Sequence, residues 1–385
     1  MTARLDRKRW LWPLGLLAPT LPFMAWGLVE ATGLDVFWFW GPFFVFALMP
    51  ALDVVAGVDL SNPREEDVPQ LEADPYYQWV ANLFLPIQYA GLLTSAWLLT
   101  RGGLSTTDKV GLTLTLGMVS GIAIANAHEL GHKKEVVERW LAKTVLAPSG
   151  YGHFVTEHNR GHHVRVATPE DPASSRLGES FWAFWPRTVV GGFRSSWRLE
   201  KARLEREGSS PWTPRNDVLN AWALSALLAA GLVAGFGLDL LPWLLVQAVI
   251  GFSLLEVVNY LEHYGLLRQK VGDRYERTQP RHSWNANNVA SNVFLYHLQR
   301  HSDHHANPMR RYQSLRHMEE APQLPTGYAA MILLAVVPPV WRRVMDPRVV
   351  AHYGGDVTLA NVHPRARDRY LRRYAAAPLA EEVAA

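Results

Sequence analysis

We single out six stretches without a charged residue as candidate membrane spans, and they restrict the fold of this chain more than any other feature. They cover residues 10–29, 36–52, 78–100, 110–127, 218–238 and 240–255. A helix needs about 20 largely apolar residues to cross a bilayer, where each backbone polar group must bond within its own segment. The stretches therefore predict an all-α integral membrane protein with six transmembrane helices. The alternative is four spans with two buried core helices, because the second and last stretches are short.

The basic residues predict how these helices are oriented. Positive side chains accumulate in cytoplasmic loops, and the N-terminal arm 1–9 is basic. Six crossings from a cytoplasmic N-terminus leave only Arg101 and Lys109 as basic residues in the loops on the far side. Both termini are then cytoplasmic, and the helices carry a helical cytoplasmic cap.

The same threading divides the chain into four segments. These are 1–127, with four transmembrane helices and a short cytoplasmic loop at 53–77; the cytoplasmic segment 128–217; 218–263, with the last two transmembrane helices; and the cytoplasmic C-terminal segment 264–385.

Histidine is concentrated at places that this topology brings to one side of the membrane. The chain has 15 histidines, and three clusters contain most of them: HELGH, EHNRGHH and HSDHH. A further one follows the sixth stretch in NYLEHYG. The nine residues concerned are His128, His132, His158, His162, His163, His263, His301, His304 and His305.

These nine histidines predict a metal centre. Neutral imidazole is a common ligand of first-row transition metals, and residues three or four apart share one face of a helix. Nine ligands are too many for one ion, so we expect two ions with four or five ligands each. The chain has no Cys, which excludes thiolate sites and Cys-ligated iron–sulfur clusters. Imidazole alone favours iron, zinc, copper or nickel over magnesium or calcium.

Carboxylates beside the ligands are expected to orient the rings and balance the metal charge. Glu129, Glu157, Glu262 and Asp303 are each adjacent to a candidate ligand. The other histidines are not candidate ligands. His297 could share a helix face with His301 and is assigned either to supporting the ligands or to packing, and the rest fit no cluster: His153, His282, His317, His352 and His363.

Glu256 lies one residue beyond the sixth uncharged stretch. A carboxyl group inside a membrane span is a functional candidate by default. The nearby Asn259 could equally satisfy it as a structural hydrogen-bond partner. The sequence leaves both interpretations open.

The clusters read HX3H, HX3HH and HX2HH, which resembles the histidine-box superfamily of membrane-bound non-haem di-iron desaturases and hydroxylases. Longer pieces resemble the alkane 1-monooxygenase signature: HELGHK, EHNRGHH followed by VATPEDPASSR, NYLEHYG, and LQRHSDHHANPMRRYQSLR. The NYLEHYG element distinguishes that family from the desaturases.

The resemblance implies that the nine histidines hold two non-haem irons. It also implies that the enzyme uses O2 to hydroxylate the terminal methyl group of linear, medium-chain alkanes to 1-alkanols. The setting would be a bacterial inner membrane, with the active site facing the cytoplasm. Reduced rubredoxin, supplied by its reductase, is the implied electron donor, because the chain has no Cys and no evident flavin or nicotinamide fingerprint. The net charge of +3, with interspersed signs, does not suggest a nucleic-acid partner.

An alkane that enters from the lipid needs an apolar channel beneath the metals. Phe43, Phe44 and Phe46 in the second stretch, and Leu255 and Val258 in the sixth, are candidates for its lining. Packing against neighbouring helices would also explain these residues.

Arginine-rich cytoplasmic segments are candidate docking surfaces for the electron donor. Arg160, Arg165, Arg310 and Arg311 are the residues that we single out. The excess of positive residues in cytoplasmic loops explains them as well.

Three other functions are compatible with parts of the pattern. A fatty-acyl desaturase or sterol-type hydroxylase of the same superfamily would use the same irons behind a polar or thioester-binding mouth. An intramembrane zinc protease would use His128, Glu129 and His132 and leave the other clusters without a role. A metal transporter would place its ligands in the middle of the spans.

Overall fold

A computed structural model describes residues 6–374 of the protein. The start of the predicted basic arm (residues 1–5) and the end of the predicted C-terminal segment (375–385) lie outside the described residues. Within residues 6–374 the chain is mainly helical. The only paired strands there form a short hairpin of β1, Lys270–Val271, with β2, Arg274–Tyr275.

The first half of the described chain forms nine α-helices: α1 Leu21–Thr32, α2 Trp40–Phe43, α3 Met49–Ala56, α4 Val68–Ala73, α5 Pro75–Arg101, α6 Thr106–Gly131, α7 Val136–Leu146, α8 Phe154–Glu157 and α9 His163–Arg165. The second half forms eight: α10 Phe181–Arg206, α11 Asp217–Phe236, α12 Leu241–His263, α13 Val289–Phe294, α14 His301–Ala306, α15 Tyr328–Ala335, α16 Pro338–His352 and α17 Arg367–Tyr374. Two π-helical segments, Phe44–Leu48 and His158–His162, join α2 to α3 and α8 to α9.

Five helical segments of the described chain are long and apolar enough to cross a membrane: Asp35–Ala56, Pro75–Arg101, Thr106–Gly131, Asp217–Phe236 and Leu238–His263. They coincide with five of the six predicted spans. The prediction of a helical membrane protein is therefore confirmed.

The first predicted span, 10–29, is not one continuous helix. A 3₁₀ segment, Trp12–Leu17, precedes α1, which has only 12 residues and is about 18 Å long. Pro19 and Pro22 lack the N–H that a continuous helix needs. The broken stretch nevertheless runs the length of the bundle. Trp12 packs against His297 of the cap, and Trp26 packs against Trp97 near the C-terminal end of α5, at the opposite end of the bundle.

Helices α15 and α16 form a bent pair that the sequence analysis did not separate from the C-terminal segment. Together they are apolar enough to count as a broken span or re-entrant loop, with a bend of 118° between them. Residues 321–341 are a further uncharged run that the six predicted spans do not include; it contains four prolines, and Arg342, Arg343 and Asp346 follow it in α16.

Close packing of α6 against α12 positions the site. A Cβ atom on Gly117 would lie 2.5 Å from Ile250 Cγ2, and one on Gly251 would lie 2.7 Å from Ser120 Cβ. Small residues at such positions let helix backbones approach closely in membrane proteins. Because α6 and α12 end on the same side, this contact brings the histidines at their C-terminal ends together.

Candidate metal centre

Four separate pieces of the chain deliver the nine clustered histidines to one place. They are the end of α6, the π-helical segment with α9, the end of α12, and α14. The rings form a group of five, His128, His132, His158, His163 and His304, and a group of four, His162, His263, His301 and His305. Within each group one nitrogen from every ring lies within 4.8 Å of all the others.

Several ring nitrogens within each group lie within hydrogen-bonding distance of one another. His163 Nε2 lies 3.0 Å from both His158 Nε2 and His304 Nε2. In the second group His301 Nε2 lies 2.9 Å from His305 Nε2 and 3.2 Å from His263 Nε2. A proton can join one such pair, but only a central cation satisfies all the nitrogens of a group. The donor set therefore fits two metal ions.

Burial keeps these rings in the form that binds metal. It lowers the pKa of His132, His158, His301, His304 and His305 well below the ordinary value, so their imidazoles are neutral at neutral pH. The Nε2 atoms of His128, His132 and His162 are buried without a hydrogen-bond partner among the described residues. Buried polar atoms normally have a partner, so these lone pairs are available to bind a metal ion.

The second cluster does not follow ordinary helical spacing. On an α-helix His158 and His162 would face the same ion, but the structure assigns them to different groups. The segment His158–His162 is a π-helix, a rare form that is common at functional sites. Its wider turn directs His158 and His163 into the group of five and His162 into the group of four.

Of the four candidate carboxylates, Glu262 contacts a clustered histidine. Its Oε2 lies 3.2 Å from His301 Nε2, and its Oε1 accepts a 2.8 Å hydrogen bond from the Tyr328 hydroxyl. The other three bond elsewhere: Glu129 to Lys133, Glu157 to Arg165, and Asp303 to Asn307 and Arg316.

Asp171 contacts the metal centre but was missed by sequence reasoning. Its Oδ2 lies 2.8 Å from His162 Nδ1 and also accepts a bond from the Ser174 hydroxyl. Burial alone would raise the pKa of Asp171, but the neighbouring imidazole and the hydrogen bonds outweigh it and hold the pKa at about 2. Asp171 is not adjacent in sequence to a ligand, because it lies nine residues beyond His162, inside VATPEDPASSR.

We expect Asp171→Asn to lower the affinity of the four-histidine group for metal by about 10–100-fold, the usual effect of removing a partner that orients a ligand. Iron bound per chain at limiting free iron would measure this. Asp303→Asn is the control, because Asp303 is equally buried but bonds to Asn307 and Arg316. Equal iron affinity in the two variants would contradict the role of Asp171.

An apolar cavity lies directly beneath the histidines. His128, His158 and His301 form its upper end, and α6, α12, α13 and α15 form its walls together with the π-helical segment Phe44–Leu48. Three of the five candidate channel residues line it: Phe44, Leu255 and Val258. Phe43 is 52% exposed, and Phe46 packs against the hydrophobic core.

The four candidate docking arginines are already engaged within the protein. Their partners are carboxylates of the cap and of the start of α11: Arg160 bonds Glu200 and Asp217, Arg165 bonds Glu157, Arg310 bonds Asp303, and Arg311 bonds Glu138. Arg160 keeps the largest exposed side-chain fraction of the four, 36%.

The chain is similar to known proteins over most of its length. A family model described as fatty acid desaturase matches residues 109–335. The chain is 45% identical over 377 residues to the alkane 1-monooxygenase of Acinetobacter baylyi and 46% identical over 370 residues to that of Ectopseudomonas oleovorans, in both cases covering 96% of this chain and 92% of the relative. It is 29% identical over 334 residues to the xylene/toluene monooxygenase hydroxylase component XylM of Pseudomonas putida, covering 84% of this chain and 86% of that protein.

Proposed function

This chain belongs to the alkane 1-monooxygenase family, and from that premise we propose that it hydroxylates the terminal methyl group of linear, medium-chain alkanes to 1-alkanols. The resemblance found in the histidine boxes is thereby confirmed at the level of the family, and the protein is a membrane-bound monooxygenase acting on alkanes. The proposed reaction is RH + O2 + 2e⁻ + 2H⁺ → ROH + H2O. Two electrons and two protons must therefore reach the site in each turnover.

One observation carries this proposal: the histidine groups form the upper end of an apolar cavity. The side chains of Phe44, Ile122 and Leu254 offer an alkane only dispersion contacts and exclude water. An unactivated C–H bond has no acidic proton and no leaving group, so general acid–base catalysis has nothing to act on. A chain aligned along this cavity would present one end to His128, His158 and His301.

We propose that the metals are two non-haem irons. The group of five histidines would hold one and the group of four the other, with Asp171 orienting His162 through Nδ1 and Glu262 adding negative charge beside the metal-facing nitrogen of His301. When bound, the irons supply the O2 activation that no side chain of this protein can perform. Both histidines of HELGH belong to the group of five and Glu129 pairs with Lys133, which disfavours a zinc protease.

We propose reduced rubredoxin, with its reductase, as the electron donor. The chain has no Cys and so no thiolate-ligated electron-transfer centre of its own. Of the candidate docking residues Arg160, Arg165, Arg310 and Arg311, we retain Arg160 as the principal donor contact because it is the most exposed.

The proposed topology keeps six crossings in a bacterial inner membrane. The broken stretch Trp12–Thr32 supplies the first crossing, because its two ends contact opposite ends of the bundle. The segments 128–217 and 264–385 then carry the cap on the cytoplasmic side, and 1–127 and 218–263 carry the spans.

The test is reconstitution of the iron-loaded protein in lipid nanodiscs with reduced rubredoxin, ¹⁸O2 and a series of n-alkanes. We expect 1-alkanol carrying one ¹⁸O atom. Oxidation of a fatty-acyl substrate but not of octane would favour the desaturase alternative. A single zinc per chain would favour the protease.

Substitution of Leu254 is expected to change the chain-length preference. Leu254 lines the cavity and lies nine residues before His263 on α12, about 13 Å along the helix axis. Leu254→Ala should therefore shift the preferred substrate toward longer alkanes. Each additional buried methylene is worth about 0.8 kcal/mol, or about fourfold in kcat/KM.

Competition between pairs of n-alkanes measures this preference. Leu245→Ala is the matched control, because Leu245 is on the same helix but is 59% exposed. An unchanged product distribution in Leu254→Ala would place the end of the alkane elsewhere.

A further inference from the structure

The proposed reaction consumes two protons at a metal centre whose substrate cavity is mainly apolar. Phe44, Ile122 and Leu254 cannot carry protons to the reduced oxygen atom. Protons need a route along polar side chains or water, and the following inference about that route rests on the proposed function.

A second chamber lies beside His158 and His162. It lies between the segment His158–His162, α10 and α12. Its polar lining residues are Tyr151, His153, Glu157, Thr188, Glu256 and Asn259, next to His158 and His162. His158 and Asn259 also line the alkane cavity, so the two spaces adjoin at the metal centre.

Glu256 is the buried carboxyl group of this chamber. Its Oε1 accepts a 2.6 Å bond from the Tyr151 hydroxyl, and its Oε2 accepts bonds from the Thr188 hydroxyl at 2.8 Å and from Asn259 Nδ2 at 3.2 Å. Asn259 is therefore one of three partners, and the structural interpretation that the sequence left open is incomplete. The hydroxyl groups of Tyr151 and Thr188 can each donate and accept, as a proton relay requires.

His153 indicates that the chamber contains water. Its side chain is only 5% exposed, yet neither ring nitrogen has a hydrogen-bond partner within the described part of the chain. Glu157 Oε2 is likewise buried and unpartnered, while Glu157 Oε1 accepts a 2.8 Å bond from Arg165, which is 29% exposed. Buried polar groups of this kind are usually satisfied by ordered water.

We propose that this chamber holds ordered water and delivers protons from the cap surface, past Arg165 and through Glu256 and its hydroxyl partners, to the metal centre. Two protons per turnover pass through it, and no electrons. They bond to the oxygen atom that leaves as water, and each one is replaced from bulk water. The alkane cavity can then stay dry.

Glu256→Gln tests this role, with Asp346→Asn as the matched control. Asp346 is also buried and also accepts bonds from two hydroxyl groups, those of Tyr264 and Tyr370, but it is not among the residues lining the chamber. The measurements use the iron-loaded protein in nanodiscs with reduced rubredoxin, O2 and octane. They are 1-octanol formed per O2 consumed, H2O2 released, and the infrared difference spectrum between the dithionite-reduced and oxidised protein in H2O and in D2O.

We expect a carboxyl band in the difference spectrum that shifts in D2O, is absent in Glu256→Gln and is retained in Asp346→Asn. Positioned proton transfer contributes at least about a hundredfold to a reaction rate. We therefore expect coupling, the 1-octanol formed per O2 consumed, to fall at least about tenfold in Glu256→Gln. The O2 that is consumed without forming 1-octanol should appear as H2O2. A purely structural role of Glu256 would not produce the D2O-sensitive band.

Wild-type coupling in Glu256→Gln, or a D2O-sensitive band that persists in it, would overturn the proposal. If Glu256→Gln does not bind two irons, Thr188→Val and His153→Phe test the route by coupling alone, because each removes one polar group from the chamber and retains Glu256; wild-type coupling in both would overturn the proposal. A wild-type protein with the band but no alkanol would contradict the alkane function alone. A wild-type protein that makes alkanol without the band would contradict the chamber alone.

Discussion

Replacing His263 with alanine is expected to lower bound iron from about two per chain to at most about one and to reduce 1-alkanol formation more than 100-fold. His263 Nε2 lies 3.2 Å from His301 Nε2 in the group of four, and its loss leaves three imidazoles for that ion. Loss of a partner that only orients a ligand costs about 10–100-fold, and loss of a ligand should cost more. Iron content, Mössbauer spectra and product formation measure the result.

The control for this substitution is His352→Ala. His352 belongs to neither histidine group and packs against Trp284 and Tyr353. It should keep both irons. Retention of two irons in His263→Ala would remove His263 from the ligand set.

Filling the alkane cavity with a larger side chain is expected to have a comparable effect on octane oxidation without removing metal. Ala125 lines the cavity and lies three residues before His128, on the same face of α6. A phenylalanine ring there occupies the space next to the histidines. A displacement of the reacting carbon by about 1 Å can cost about 10²-fold in rate, so Ala125→Phe should oxidise octane at least about 100-fold more slowly.

Short alkanes distinguish a blocked cavity from a damaged protein. Ala125→Phe should still bind two irons and should retain a larger fraction of wild-type activity on propane or butane than on octane. Ala125→Gly, which leaves the cavity open, is the companion variant and should keep octane activity. Equal losses on all alkanes in Ala125→Phe would contradict a substrate path beside Ala125.

The histidines and most of the spans could be predicted from the sequence because both depend on local pattern. Uncharged runs marked the segments around α5, α6, α11 and α12, and the spacing in HELGH and HSDHH marked ligand positions. The break in the first span, between the 3₁₀ segment Trp12–Leu17 and α1, could not be predicted in this way. It depends on the positions of its prolines and on its contacts with the cap more than on its composition.

The division of ligands between two groups was not predictable from helical spacing. An α-helical interpretation pairs His158 with His162, whereas the π-helical turn separates them. Similarly, Asp171 reaches His162 through the fold of the loop after α9, a contact that adjacency in sequence does not reveal. Local periodicity identifies candidate ligands, but tertiary packing decides which ion each one faces.

Neighbouring residues that serve opposite ions should make metal uptake cooperative. His162 and His163 are consecutive residues that belong to different groups, and the same is true of His304 and His305. Once one ion binds, it fixes the backbone that presents ligands to the other, and the entropy of ordering that backbone is lost only once. Titration of the apoprotein with ferrous ion should therefore pass from empty to doubly loaded molecules with few singly loaded ones, a distribution that native mass spectrometry would resolve.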